Sequence, residues 1–120
     1  MPVASARPAT STIGTTIDHV EAYAIADDGF EFFGGTVNTK YLVSAFNDDD
    51  SFDTDMGYRG TNQFWFAIQE PGTRDSGGEW NGEPNGIAVS NAPYANFQVY
   101  NATWIGGGTI SGTATNSNNG

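Results

Sequence analysis

The chain has 120 residues, enough for one domain built on a single elongated core. Fourteen acidic side chains against four basic ones leave a formal charge of −10, which repels phosphate backbones and anionic lipid and argues against nucleic acid and membrane surfaces as partners. With no cysteine there are no disulfides or thiolate metal sites, and no run approaches the roughly 18 apolar residues of a membrane helix.

Residues 1–14, MPVASARPATSTIG, read as a polar lead-in without the apolar stretch of a signal peptide. The expectation is a module excised from a larger exported protein, or one whose export segment has been cleaved. Residues 15–110 carry the pattern. Sixteen glycines with eight Phe, five Tyr and three Trp suit short strands and tight turns far better than helices. Slid by 23 residues, Val20-Glu21-Ala22 lies over Val43-Ser44-Ala45 and then over Phe66-Ala67-Ile68, with His19, Leu42 and Trp65 one step upstream. At a spacing of 22, Asp27-Asp28-Gly29-Phe30-Glu31-Phe32 matches Asp49-Asp50-Ser51-Phe52-Asp53-Thr54. Gly77-Gly78-Glu79-Trp80-Asn81 is a looser third copy, and Phe97 to Ile105 a degenerate fourth unit. Residues 111–120 lack large apolar side chains and read as a linker-like tail.

Units of this length, each with two or three short strands, predict an all-β fold: a parallel β-helix, or solenoid, of about four rungs of 22–23 residues. One coil buries little alone; stacking coils about 4.8 Å apart makes a continuous core. A β-sandwich is the competing fold. The phrases DDGFEFFGGTVNTKYLVSAFNDDDSFDTDMGYRG and NQFWFAIQ resemble a repeat region of bacterial secreted and surface proteins with a right-handed, pectate-lyase-like parallel β-helix. That resemblance covers about residues 15 to 105 and implies fold and an extracellular or cell-surface location more than an activity.

The acidic residues concentrate in one feature: Asp27, Asp28, Glu31, then Asp48, Asp49, Asp50, Asp53 and Asp55, then Glu79. In register, Asp27 stacks near Asp49, Asp28 near Asp50, and Glu31 near Asp53 and Glu79. Carboxylates one rung apart must protonate, spread into water, or be bridged by cations. Calcium suits the last, since it takes six to eight oxygens in flexible geometry. The metal candidates are therefore Asp27, Asp28, Glu31, Asp49, Asp50, Asp53, Asp55 and Glu79. A solvated acidic edge is the alternative.

Trp80, Trp65, Tyr58, Arg59 and Asn81, in polar and Gly-rich contexts, are candidates to hold a polysaccharide, the aromatic faces stacking on sugar rings. Trp65 in Phe64-Trp65-Phe66 and Trp104 beside Ile105 have the alternative reading of core or end cap. The expected function is a non-catalytic polysaccharide-binding module with a calcium-stabilised acidic ladder. Two alternatives stay open. End-to-end stacking of solenoids would make a homo-oligomeric fibre or surface-layer subunit. A lyase or glycoside hydrolase would pair ladder carboxylates with each other, or with Arg59, Arg74 or Lys40 as the basic group.

Overall fold

Nearly every coil contains two runs in which β-branched or aromatic residues alternate with polar ones, separated by Gly, Asp and Asn. A computed structural model, described over residues 5–6, 14–72, 75–82 and 94–108, turns these runs into strands. They are β1 (Ser5–Ala6), β2 (Thr16–Tyr23), β3 (Phe30–Phe33), β4 (Asn38–Ala45), β5 (Phe52–Asp55), β6 (Thr61–Ile68), β7 (Glu79–Trp80), β8 (Gln98–Tyr100) and β9 (Thr103–Ile105). There is no helix among the described residues. Odd strands β1-β3-β5-β7 form one sheet; β2-β4-β6-β8 form the other, with β9 also pairing β6. Every pairing is parallel, so the chain winds between two sheets as a parallel β-helix. The lead-in contributes too: β1 adds a strand to the first sheet beside Glu31 and Phe32. The other lead-in residues before Gly14, and the whole tail, lie outside the described residues.

The register differs from a uniform slide. Val20 pairs with Leu42, Glu21 with Val43 and Ala22 with Ser44, one residue short of the expected step, whereas Leu42 does pair with Trp65. A one-residue slip moves every side chain to the opposite face. His19 therefore does not join the column of Leu42 and Trp65. It stacks outside, its ring 4.6 Å from Tyr41, which lies 4.9 Å from Phe64.

That outside column marks a bend. His19, Tyr41, Phe64 and Asn101 all have left-handed backbone, with φ of 53°, 54°, 59° and 56°. The bend breaks the alternation, so Lys40 and Tyr41 both face outward between buried Thr39 and Leu42. For a bulky L-residue this conformation costs about 1–2 kcal/mol. A second corner stacks Ala24 on Phe46, and a third uses Gly34-Gly35 above Met56-Gly57.

Inside, aromatic rings stack both along and across the coils. Phe30 stacks on Phe52 at 5.5 Å, Phe52 on Trp65 at 4.1 Å, and Phe32 on Tyr58 at 4.7 Å. Trp65 and Tyr58, expected at a sugar-facing surface, are thus core residues, 1% and 0% exposed. Their polar atoms are satisfied within the core. Trp65 Nε1 donates to Thr39 Oγ1 at 2.7 Å, and Thr39 Oγ1 donates to Asn62 Oδ1 at 2.7 Å. The Tyr58 hydroxyl is shared between Val37 O and Asn62 Oδ1, and Asn62 Nδ2 donates to Gln98 O. Burial pushes the Tyr58 phenol up, which keeps it a donor.

Gly29 is the tightest approach near the acidic turns. A Cβ there would overlap Ser44 Oγ and lie 2.7 Å from the Ser51 carbonyl. Gly29→Ala is expected to cost about 1–3 kcal/mol by overpacking. Trp65→Ala, which empties the centre, should cost about 3–5 kcal/mol. Denaturant midpoints at unchanged slope measure both; a Trp65→Ala protein as stable as the parent would contradict this core.

Candidate functional site

The site grows from the turns that enter the first sheet. Asp28 ends one turn, and its Oδ1 accepts the Asp50 amide at 3.0 Å; Asp50 Oδ1 in turn accepts the Ser76 amide at 2.6 Å. Each carboxylate thus caps the equivalent amide one coil further on. The backbone repeats the pattern, Gly29 N donating to Asp50 O and Ser51 N to Ser76 O. Asp28 and Asp50 are buried at 8% and 2% exposure because the rungs need them as turn acceptors.

Beyond the turn, β3, β5 and β7 place Glu31, Asp53 and Glu79 in one column on the sheet's outer face. Asp53, in the middle, is only 8% exposed, and its Oδ1 is buried without a hydrogen-bond partner. Carboxylate oxygens of Asp28, Glu31 and Asp53 lie within 4.8 Å of one another, as do those of Asp27, Asp28 and Asp49, and those of Asp49, Asp50 and Asp75. Asp28 and Asp49 link the three groups into one chain. Of the expected metal ligands, Asp55 and Glu79 fall outside these groups; Asp55 Oδ1 accepts the Met56 amide instead. Asp75 was not anticipated, because the third coil is longer. Asp53 pairs with Glu79 at a step of 26, and the same step carries Asp49 to Asp75.

The electrostatics follow from burial among like charges. Burial raises Asp28 to about 6; Asp49, Asp27 and Glu79 push the same way, while the Asp50 amide pulls it down. Burial, then Asp28 and further carboxylates, raise Glu31 to about 7 and Asp53 to about 7. Asp49 and Asp50 are also raised, burial leading. Every charged neighbour acting on these five groups is another carboxylate.

Trp80 is not in a loop; it belongs to β7, the last described strand of its sheet, on the inward column after Thr54, and is 55% exposed with Phe97 edge to face at 5.3 Å. Its indole packs against Gly78, where a Cβ would sit 2.7 Å from Nε1. Trp104, 39% exposed, lies over Gly77 in the same way and donates Nε1 to the Gly77 carbonyl at 2.9 Å, so it is an end cap. Consecutive glycines therefore seat both indoles, a signal visible in the sequence but readable only once both rings are placed. Asn81 follows Trp80 and donates its amide to Thr54 O; exposed Arg59 donates its amide to Gly35 O. Lys40 projects from the outer face of the other sheet, and Arg74 lies outside the described residues.

Raised carboxylates set the sign of a pH dependence. Folded pKa values above the ordinary 3.8 and 4.5 mean stability is fully present below about pH 4 and lost as pH rises through the folded values near 6 to 7. In metal-free buffer the melting temperature should fall from pH 5 to pH 8. Asp53→Asn, the same shape without charge, should flatten that fall and melt higher than the parent at pH 8. A parent protein that gains stability over this interval would contradict the assignment.

The pectate-lyase-like β-helix domain model matches residues 11–119. Among curated proteins and among solved structures nothing matches. Parallel coils of two sheets and a match across almost the whole chain agree: the chain belongs to the pectate-lyase-like β-helix family.

Proposed function

We propose that this chain is a non-catalytic extracellular module that binds polysaccharide and whose acidic ladder is stabilised by calcium. The observation that carries the reading is the Asp53 carboxylate, buried with an unpartnered oxygen beside Asp28 and Glu31. A buried charge persists only when paired or coordinating a metal, and a neutral acid would still need a hydrogen-bond partner for that oxygen. The donors are all carboxylate oxygens, which suits a hard cation. Calcium tolerates the irregular geometry; magnesium demands a near-ideal octahedron. His19, the sole imidazole, is on the other sheet, 3.2 Å from Asp18, so borderline transition metals find no partner ligand in the ladder. Weak, partly open sites of this kind suit extracellular modules, which bind calcium at about 10⁻⁴–10⁻³ M.

The sugar half of the reading rests on Trp80. Its exposed indole, packed on Gly78 and edge to face with Phe97 at 5.3 Å, supplies an apolar aromatic surface for a pyranose ring.

Calcium at a hundred times its Kd should stabilise the folded chain by about 2.7 kcal/mol and raise the melting temperature by several degrees, with magnesium far weaker. Asp53→Asn should abolish the calcium shift while the chain still folds. Equal melts with calcium and with chelator would remove the cation from this account. Trp80→Ala should lose retention on a polysaccharide column while melting far closer to the parent than Trp65→Ala does. Retention unchanged in Trp80→Ala would move the sugar site elsewhere.

A further inference from the structure

Trp80 and the acidic ladder share one short segment. Residues 75–81 carry Asp75 at one end of the ladder, Glu79 over Asp53 in its column, and Trp80 directly after. Strand β7 is only two residues long, and the described strand beside it is β5, Glu79 pairing with Asp53 and Trp80 with Thr54. The hydrogen bonds that tie the segment to the second coil fall between Asp50 and Thr54. Ser76 N donates to Asp50 Oδ1 at 2.6 Å, Ser51 N to Ser76 O at 3.1 Å, and Asn81 N to Thr54 O at 2.8 Å. From the fourth coil, Phe97 meets Trp80 edge to face and Trp104 donates Nε1 to Gly77 O.

The seam between this segment and the second coil therefore has carboxylates on both sides. Asp75 shares a group with Asp49 and Asp50, and Glu79 repels Asp28, Asp49, Asp50 and Asp53. Asp53, in the middle of the seam, is buried and keeps an oxygen with no hydrogen-bond partner. Like charges opposed across a strand pair work against the pairing. A divalent cation between them reverses the sign and draws the segment onto the coil beneath. We propose that calcium on the ladder controls the sugar platform: by closing this seam it fixes Trp80, and Glu79 is the positioning residue whose charge loosens the seam. The coupling rests on the calcium and sugar readings of this site and adds the link between them. The ion acts through the backbone of β7, so the effect does not require a charged sugar. By linkage it is reciprocal, the sugar tightening calcium by the factor that calcium tightens the sugar. A two-residue strand opens far more readily than the eight-residue strands of the other sheet, which is what lets an ion act on it.

The test is amide hydrogen exchange of the whole chain at low salt, in calcium and in chelator. In chelator the Asn81 amide should exchange well ahead of the slowest amides of β4 and β6, which report global unfolding. Calcium should slow it by at least about 5-fold, the low end of ordinary couplings between sites. Glu79→Gln should slow it equally in chelator alone, a gain that a merely structural Glu79 would not give. On a neutral polysaccharide that retains the parent, calcium should strengthen retention, and Glu79→Gln should be retained in chelator as the parent is in calcium. Three results would overturn the coupling while the calcium reading stands: an Asn81 amide as slow as the core in chelator, exchange that calcium leaves unchanged while it raises the melting temperature, or retention equal in both buffers. Equal melts in calcium and chelator would remove the cation itself, and the coupling with it.

Discussion

Stacking one coil directly on the next is the constraint from which this molecule's chemistry follows. Inter-coil backbone hydrogen bonds hold neighbouring strands about 4.8 Å apart, so whatever residue type occupies a position meets its counterpart at near-contact distance. For apolar residues this is favourable. Phe30 on Phe52 and Leu42 on Trp65 stack within the two sheets, and Phe52 against Trp65 joins them across the core, which no coil could bury alone. For a polar interior it forces completeness. Thr39, Asn62, Trp65 and Tyr58 satisfy one another across two coils, so each residue's place depends on the others being there.

The same rule has a cost where the repeated residue is charged or strained. Asp28 and Asp50 are useful one coil apart because each accepts an amide from the following turn. Glu31 and Asp53 inherit the stacking without that return, and Asp53 is left with an unpartnered oxygen. Proton uptake and cation binding are two ways of relieving one repulsion, so they compete for the same oxygens. Left-handed corners repeat in backbone: His19, Tyr41 and Phe64 share one bend and stack their rings along the outer face, and Asn101 takes the same conformation in the fourth coil.

At the C-terminal coils the rule runs out. Trp80 and Trp104 occupy inward columns yet are half-exposed, because the described coils end beneath them. Large aromatics over consecutive glycines close the core there, and the exposure that recommends Trp80 as a sugar platform comes from this position at the end of the stack.

The primary sequence by itself determined the class of fold and most of the ladder. Repeated runs such as Phe30-Glu31-Phe32 and Phe52-Asp53-Thr54 specify which residues point inward, and their spacing placed Asp28 over Asp50 and Glu31 over Asp53 correctly. Three things only the tertiary structure decided. The step from β2 to β4 is one residue shorter than the slide suggested, because a left-handed bend inside the strand breaks the alternation that sequence reading depends on; this moved His19 onto an outer aromatic stack. Tyr58 and Trp65 look surface-bound beside Arg59 and Gln63, but burial depends on which face the bend presents and on partners 21 to 26 residues away. Asp75 joined the ladder through the 26-residue step that also sets Glu79 beside Asp53; the third copy carried that step in the sequence, but only the placed turn shows that the Asp75 carboxylate comes within reach of Asp49 and Asp50.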